Sequence, residues 1–243
     1  MPRIAFLVVV LGVLVAACGG ASSAASATTR TAPSTVPLKV VPADIDEFRV
    51  QPVACGGDLP PRPDTDRSFD APRDMGLDPS RITRLVLRTS CGDVIVELDT
   101  SGAPATVNAV AFLADEGFFD GTVLHRIIPG FVVQGGDPTA SGYGGPGFTV
   151  PDEFPSDPAV YRRGVVAMAN AGPGTTGSQF FILLGDASLP PTFTVVGRVV
   201  EGMDVVDTIA GLPLGRSRIS QDPVASTPLQ TPYVEAAIVE QSP

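Results

Sequence analysis

Residues 118–137, FFDGTVLHRIIPGFVVQGGD, decide how this chain is read. They hold the chain's single histidine, His125, beside an arginine, Arg126, that is flanked by apolar residues. Val, Ile and Phe dominate on both sides of Pro129-Gly130, the pattern of two short strands joined at a turn. A guanidinium in such a strand is costly unless it faces a site that uses it. Arg126 is therefore the first functional candidate.

Working outward, residues 84–89 (RLVLRT) alternate polar and apolar, and Cys91-Gly92-Asp93 reads as a turn into a second strand at 94–98. Pro104 suits the first turn of a helix running to about Asp115, with Val107, Val110, Ala111 and Ala114 at helical spacing. Gly117 stands where a helix stop belongs. Residues 164–169 and 179–183 read as buried strands, 194–200 as another, 202–209 as a short helix and 233–240 as a closing strand. The count is about eight strands and two helices. It predicts a mostly β fold: a closed, eight-stranded antiparallel barrel with two capping α-helices.

The chain has 243 residues, of which 44% are hydrophobic and 17% charged, enough for a globular core with extensions. The net charge is −10 and no basic cluster occurs, which excludes nucleic acid as an expected partner. Arg3 precedes an apolar run, residues 4–15, followed by Ala16, Ala17 and Cys18. That run is too short to span a membrane and reads as a signal peptide, residues 1–17. Val15-Ala16-Ala17-Cys18 resembles a bacterial lipobox, which makes Cys18 the candidate lipidated N-terminus. The alternative is an ordinary secretory signal cut nearby.

Residues 18–43 then form the lipidated cysteine and a flexible tether, 44–80 a loop-rich preamble, and 81–241 the compact domain. Cys55 and Cys91 remain as an even pair in an exported chain, either a disulfide or two free thiols. Two cysteines and one distant histidine make too few ligands for a metal site. The implied location is the extracytoplasmic side of the cell membrane, held by the lipid anchor alone.

Several motifs fail on context. Residues 142–147 match GxGxxG in letters, but Pro146 and the strand pattern after it supply no helix N-terminus for a dinucleotide. No P-loop occurs, and Ser178 is not in a GxSxG turn. His125 lies within a strand pattern and reads as structural rather than as a general base. What survives is Arg126 with Phe131, Gln134 and two phenylalanines in a glycine-framed strand, the inventory of an apolar pocket with a few oriented polar groups.

These residues carry a resemblance. Phe119-Asp120-Gly121, His125 through Phe131, and Gln134-Gly135-Gly136-Asp137-Pro138 resemble the signature of cyclophilin-type peptidyl-prolyl isomerases. A second block, Met168 to Pro173 and Gly177 to Ile182, and a third, Val195 to Asp204, are similar to that family in the same order, so the likeness runs over about residues 84–240. It implies an eight-stranded barrel and isomerisation of X–Pro bonds without cofactor or metal, by a monomer acting on proline-containing polypeptides. It also implies that Arg126, Phe131, Gln134 and Asn170 are catalytic, and that Val132, Ala169, Gln179, Phe181, Leu189 and Phe193 bind substrate. Val132 stands where the family often has methionine, Phe193 where many members have histidine, and Ser188 near a frequent tryptophan, a residue this chain lacks. A second class of function fits the same residues: a tethered module that grips proline-containing segments without turning them over.

Overall fold

The computed structural model describes residues 41–157 and 160–242, so the expected signal peptide, Cys18 and most of the expected tether lie outside the described residues. The described residues all fall in one compact unit.

The chain enters through a short helix, α1 (Ile45–Arg49), capped by the Asp44 carboxylate, which accepts from the Glu47 amide. A hairpin follows, β1 (Thr83–Thr89) and β2 (Gly92–Leu98). Helix α2 (Pro104–Asp115) starts and stops where its local chemistry predicts. Its N-terminal amides have no side-chain cap of their own; the Glu153 carboxylate accepts from Ala105 and Thr106 at 3.0 and 2.8 Å instead. At the other end Gly117 (φ 64°) donates to Ala114 O and Phe118 to Leu113 O, which is a Schellman stop.

Three short strands come next, β3 (Thr122–Val123), β4 (Arg126–Ile128) and β5 (Val132–Gly135), then β6 (Val165–Met168), β7 (Phe180–Leu183) and β8 (Val195–Glu201). Helix α3 (Met203–Ala210) leads to a two-stranded ribbon, β9 (Leu214–Gly215) with β10 (Thr227–Pro228), and β11 (Tyr233–Gln241) closes the chain.

The main sheet runs β3-β11-β1-β2-β8-β6-β7-β5-β4, with every pairing antiparallel. It curls so that its two edge strands, β3 and β4, are separated in sequence by Leu124 and His125 alone. The main sheet counts nine strands where the pattern predicted eight, because residues 118–137 supply three short strands rather than two.

The alternation of side chains sorts this wall into two faces. Ile127 pairs with Val133, Val166 with Ile182 and Met168 with Phe180, and all six belong to the main interior core. The residues between them, Val132, Ala167, Phe181 and Leu183, belong to a separate apolar cluster on the other face. Both faces of β6 and β7 are thus covered, which is why their sequences read as continuous apolar runs. Residues 44–80 carry little regular structure but pack on the domain: Ile45 and Phe48 of α1 are buried with Val123, Ala140 and Tyr233. Cys55 and Cys91 are joined, with their Cα atoms 5.1 Å apart. No helix among the described residues is long and apolar enough to cross a membrane.

Candidate functional site

The site lies on the outer face of the β4-β5-β7-β6 wall. Arg126 is the register partner of Gln134, Gln134 of Phe181, and Phe181 of Ala167, so one row across four strands presents these side chains to one side. Strand geometry alone puts the arginine beside the glutamine and the glutamine beside the aromatic ring.

A polar relay runs along one side of this row. Arg126 Nη1 donates to Gln134 Oε1 at 2.9 Å, and Gln134 Nε2 donates to Gln179 Oε1 at 3.0 Å. Gln179 Nε2 in turn donates to the carbonyls of Gly142 and Gly144, both at 3.0 Å. The glycine loop that mimics a dinucleotide motif therefore serves as an anchor for the relay. The apolar side is the separate cluster already met: Val132 and Phe181 are buried in it, with Phe131, Ala169, Leu189 and Phe193 packed partly exposed around them. The rings of Phe181 and Phe193 meet edge to face at 5.6 Å. Asn170 follows Ala169 and donates from Nδ2 to Thr192 O at 2.8 Å, tying its loop to the segment that carries Phe193. All ten residues singled out from the sequence fall on this one surface.

Two residues that sequence reasoning missed complete it. Tyr161 is buried beneath the cluster; its hydroxyl donates to Phe193 O at 2.8 Å and accepts from Phe193 N at 3.2 Å. Burial pushes the Tyr161 phenol up, against the opposing hydrogen bond to Phe193. Asp222 is the second: Oδ2 accepts from Arg126 Nε at 2.8 Å and Oδ1 from Nη2 at 2.7 Å, a two-pronged ion pair. Hydrogen bonding to Arg126 holds the Asp222 carboxyl far below the usual carboxylate range, with burial opposing and Ser226 and Ser220 reinforcing it. No sequence pattern marks either residue, since each is defined by a partner brought from a distant segment.

His125 borders the cleft that Arg126 and Asp222 line but takes no part in the polar relay. It is buried, and desolvation drives its pKa down despite the nearby negative charge of Asp137. Burial thus favours its neutral form. No cluster of three or more metal-ligating side chains occurs among the described residues. Gln134, Gly142 and Tyr143 form the ridge between two clefts, of about 450 and 380 Å³. The larger is lined by Arg126 and Asp222, the smaller by Asn170 and Gln179.

Known proteins place this arrangement. The family profile described as "Cyclophilin type peptidyl-prolyl cis-trans isomerase/CLD" matches residues 84–230, more than half of the chain. A probable peptidyl-prolyl cis-trans isomerase B of Mycobacterium tuberculosis is 38% identical over 169 residues, covering 62% of this chain and 54% of the relative. The chain thus spans about half the length of that relative. Peptidyl-prolyl cis-trans isomerase B of Streptomyces anulatus is 37% identical over 172 residues, covering 63% of this chain and 94% of its own.

Among solved structures, a cyclophilin type peptidyl-prolyl cis-trans isomerase of Cryptosporidium parvum superposes with a TM-score of 0.60 at 28% identity, over 67% of this chain and 99% of that one. The same protein, solved in the presence of the dipeptide Ala-Pro, gives a TM-score of 0.59 over 65% of this chain and 99% of that one. With the matched profile, the curled antiparallel sheet and the Arg126 row together, this chain belongs to the family of cyclophilin-type peptidyl-prolyl cis-trans isomerases.

Proposed function

We propose that this chain is a peptidyl-prolyl cis-trans isomerase that turns X–Pro bonds in exported or cell-envelope proteins and so assists their folding. The observation that carries the reading is Arg126, a guanidinium fixed by hydrogen bonds at the border of a partly exposed apolar cluster.

An X–Pro amide is planar by resonance, and turning it costs ~18–20 kcal/mol. At the twisted transition state the prolyl nitrogen becomes pyramidal and recovers a lone pair. Arg126 donates to that lone pair, an interaction the planar ground state cannot make, so it lowers the barrier rather than merely binding. Phe131, Val132, Phe181, Leu189 and Phe193 grip the pyrrolidine ring by apolar contact. Gln134 and Asn170, with Ala169 and Gln179, hold the flanking peptide groups, so one side of the bond stays fixed while the other turns. Lowering the barrier by about 7 kcal/mol gives roughly five decades in rate. That the related Cryptosporidium protein was solved in the presence of the dipeptide Ala-Pro supports a proline ligand here.

Export rests on the sequence: the signal-like N-terminus, the lipobox at Cys18 and the Cys55–Cys91 pair all suit an oxidising compartment. The domain then works as a monomer outside the cytoplasm, tethered through Cys18. The mass of the mature N-terminus tests this. A diacylated or triacylated Cys18 is expected; cleavage elsewhere or an unmodified residue removes the anchor.

Exchange NMR on an Ala-Pro peptide tests the activity. The wild-type chain is expected to accelerate cis/trans interconversion, and Arg126→Ala to lose about 10²–10³ of that rate, the usual cost of deleting a transition-state donor. If wild type binds the peptide but leaves its exchange unchanged, the chain is a proline-binding module instead.

A further inference from the structure

Arg126 is held from both sides, and the second hand comes from a segment outside the residue row that forms the site. Between β9 and β10, residues 216–226 make an excursion whose base is bound to the catalytic wall. Ser226 O accepts from Ile127 N at 2.7 Å, and Ser226 N donates to Gly215 O at 3.1 Å. The strap's outer part is braced as well: Arg218 pairs with Glu47 of α1, and Arg216 Nη2 donates to Pro223 O at 3.1 Å. Within it, Ser217 Oγ accepts from Ile219 N and Ser220 N, and Ser220 Oγ accepts from Asp222 N, turns that aim Asp222 back at the wall.

We propose that Asp222 is a positioning residue for catalysis, fixing the Arg126 guanidinium in the one orientation that can donate to a twisted prolyl nitrogen. This rests on the isomerase reading given above. The donor inventory supports it. A guanidinium has five N–H groups. Asp222 takes one from Nε and one from Nη2, and Gln134 takes one from Nη1, which leaves one hydrogen on each terminal nitrogen for a bound chain. The carboxylate grips the Nε edge, so it competes for neither remaining hydrogen.

Its side chain is 9% exposed and that of Arg126 28%, so the pair lies largely out of water yet leaves the fork reachable. A carboxylate also draws down the positive potential that a transition-state donor wants, and the two effects oppose. Direction decides between them. A hydrogen bond to a lone pair fails when the donor swings, and without Asp222 a single contact to Gln134 would hold a long, rotatable side chain.

The test compares wild type, Asp222→Asn, Asp222→Glu and Arg126→Ala by exchange NMR with an Ala-Pro peptide, resolved into kcat and KM. The Arg126 Nε–H resonance and a thermal melt are recorded on each folded variant. Asn keeps the shape but cannot accept both hydrogens. Asp222→Asn is expected to lower kcat about tenfold, roughly 1.4 kcal/mol, with KM within about twofold of wild type. It should also move and broaden the Nε–H signal, and Asp222→Glu should recover part of both. A rise in KM at unchanged kcat would show that Asp222 only braces the strap, and an increase in kcat that it restrains the arginine; either overturns the proposal. Wild-type acceleration undiminished in a folded Asp222→Asn overturns it while leaving the isomerase reading intact. No acceleration by wild type removes that reading and the proposal together.

Discussion

Arg126 and His125 are neighbours in sequence and opposites in setting. Arg126 stands on the outer face of β4, while the residue before it is turned into the protein and buried. Burial makes the imidazolium the costly form of His125, so its folded pKa lies below its unfolded value of 6.5. The sign follows from proton counting. Above about pH 7 neither state is protonated there, and His125 leaves stability level. As pH falls through 6.5 the unfolded chain takes up a proton that the folded chain refuses, so stability declines until the folded pKa is passed.

Aspartates with depressed values, Asp222 among them, act lower, as pH falls below their unfolded 3.8. With a single histidine in the chain, the window from pH 7 to 5 belongs to His125. Urea midpoints are expected to fall across that window in wild type and to stay flat in His125→Phe and His125→Gln. Parallel curves would show that the group is not the titrating one. At this scale the sequence was legible wherever a residue's cost was local. A guanidinium in an apolar strand signals a use, and Gln134 and Phe181 follow by register. Asp222 was not legible, because an aspartate in a polar loop costs nothing until the chain brings it to an arginine 96 positions away.

Elements differ in the same way. Helix α2 could be bounded from sequence because its proline start and glycine stop act within one turn. The turn at Pro129-Gly130 was equally local: Gly130 takes φ 74°, and Phe131 N donates to Ile128 O at 2.9 Å. The break that divides β3 from β4 had no such marker. Leu124 N donates to Pro232 O beside β11, whereas Ile127 N donates to Ser226 O in the strap, so hydrogen bonding changes partner within three residues. That change of partner sits at the seam of the curled sheet and turns two expected strands into three. It also joins the strap to the strand that carries Arg126. A seam of this kind depends on two segments about a hundred residues downstream, and no periodicity within residues 118–137 encodes it.

Over the whole molecule, residues 41–80 form an arm that follows the domain rather than hanging from it. Phe69 packs edge to face on Phe112 of α2 at 5.0 Å, and Met75 N donates to Asn108 of the same helix at 2.8 Å. Arg67 pairs with Glu116 at the helix end, and Ala54 N donates to Thr231 O near β11 at 2.9 Å. Composition made this stretch look like a loop-rich preamble, and in secondary structure it is one. The cysteine pair offered one attachment to the domain, but the noncovalent ones were unreadable because each contact is a single residue without a repeat.

The covalent contact, Cys55 to Cys91, ties the arm to the β1–β2 turn across 36 residues. A cross-link of that span acts chiefly on the unfolded chain, whose freedom it cuts by about 3–4 kcal/mol on the loop-entropy account. The arm is also held by the noncovalent contacts above, and neither cysteine belongs to the residue row or cluster of the site. Cys55→Ala/Cys91→Ala is therefore expected to fold, to lose about 3–4 kcal/mol in urea unfolding, and to keep the exchange-catalysis rate of wild type. Dithiothreitol should shift the wild-type midpoint to that of the double variant and leave the variant where it is. A double variant as stable as oxidised wild type would mean that the arm's noncovalent contacts already restrict the unfolded chain as much as the bond does. A variant stable but slow in exchange would mean that the arm's seat on the strap, through Glu47 and Arg218, transmits to Arg126.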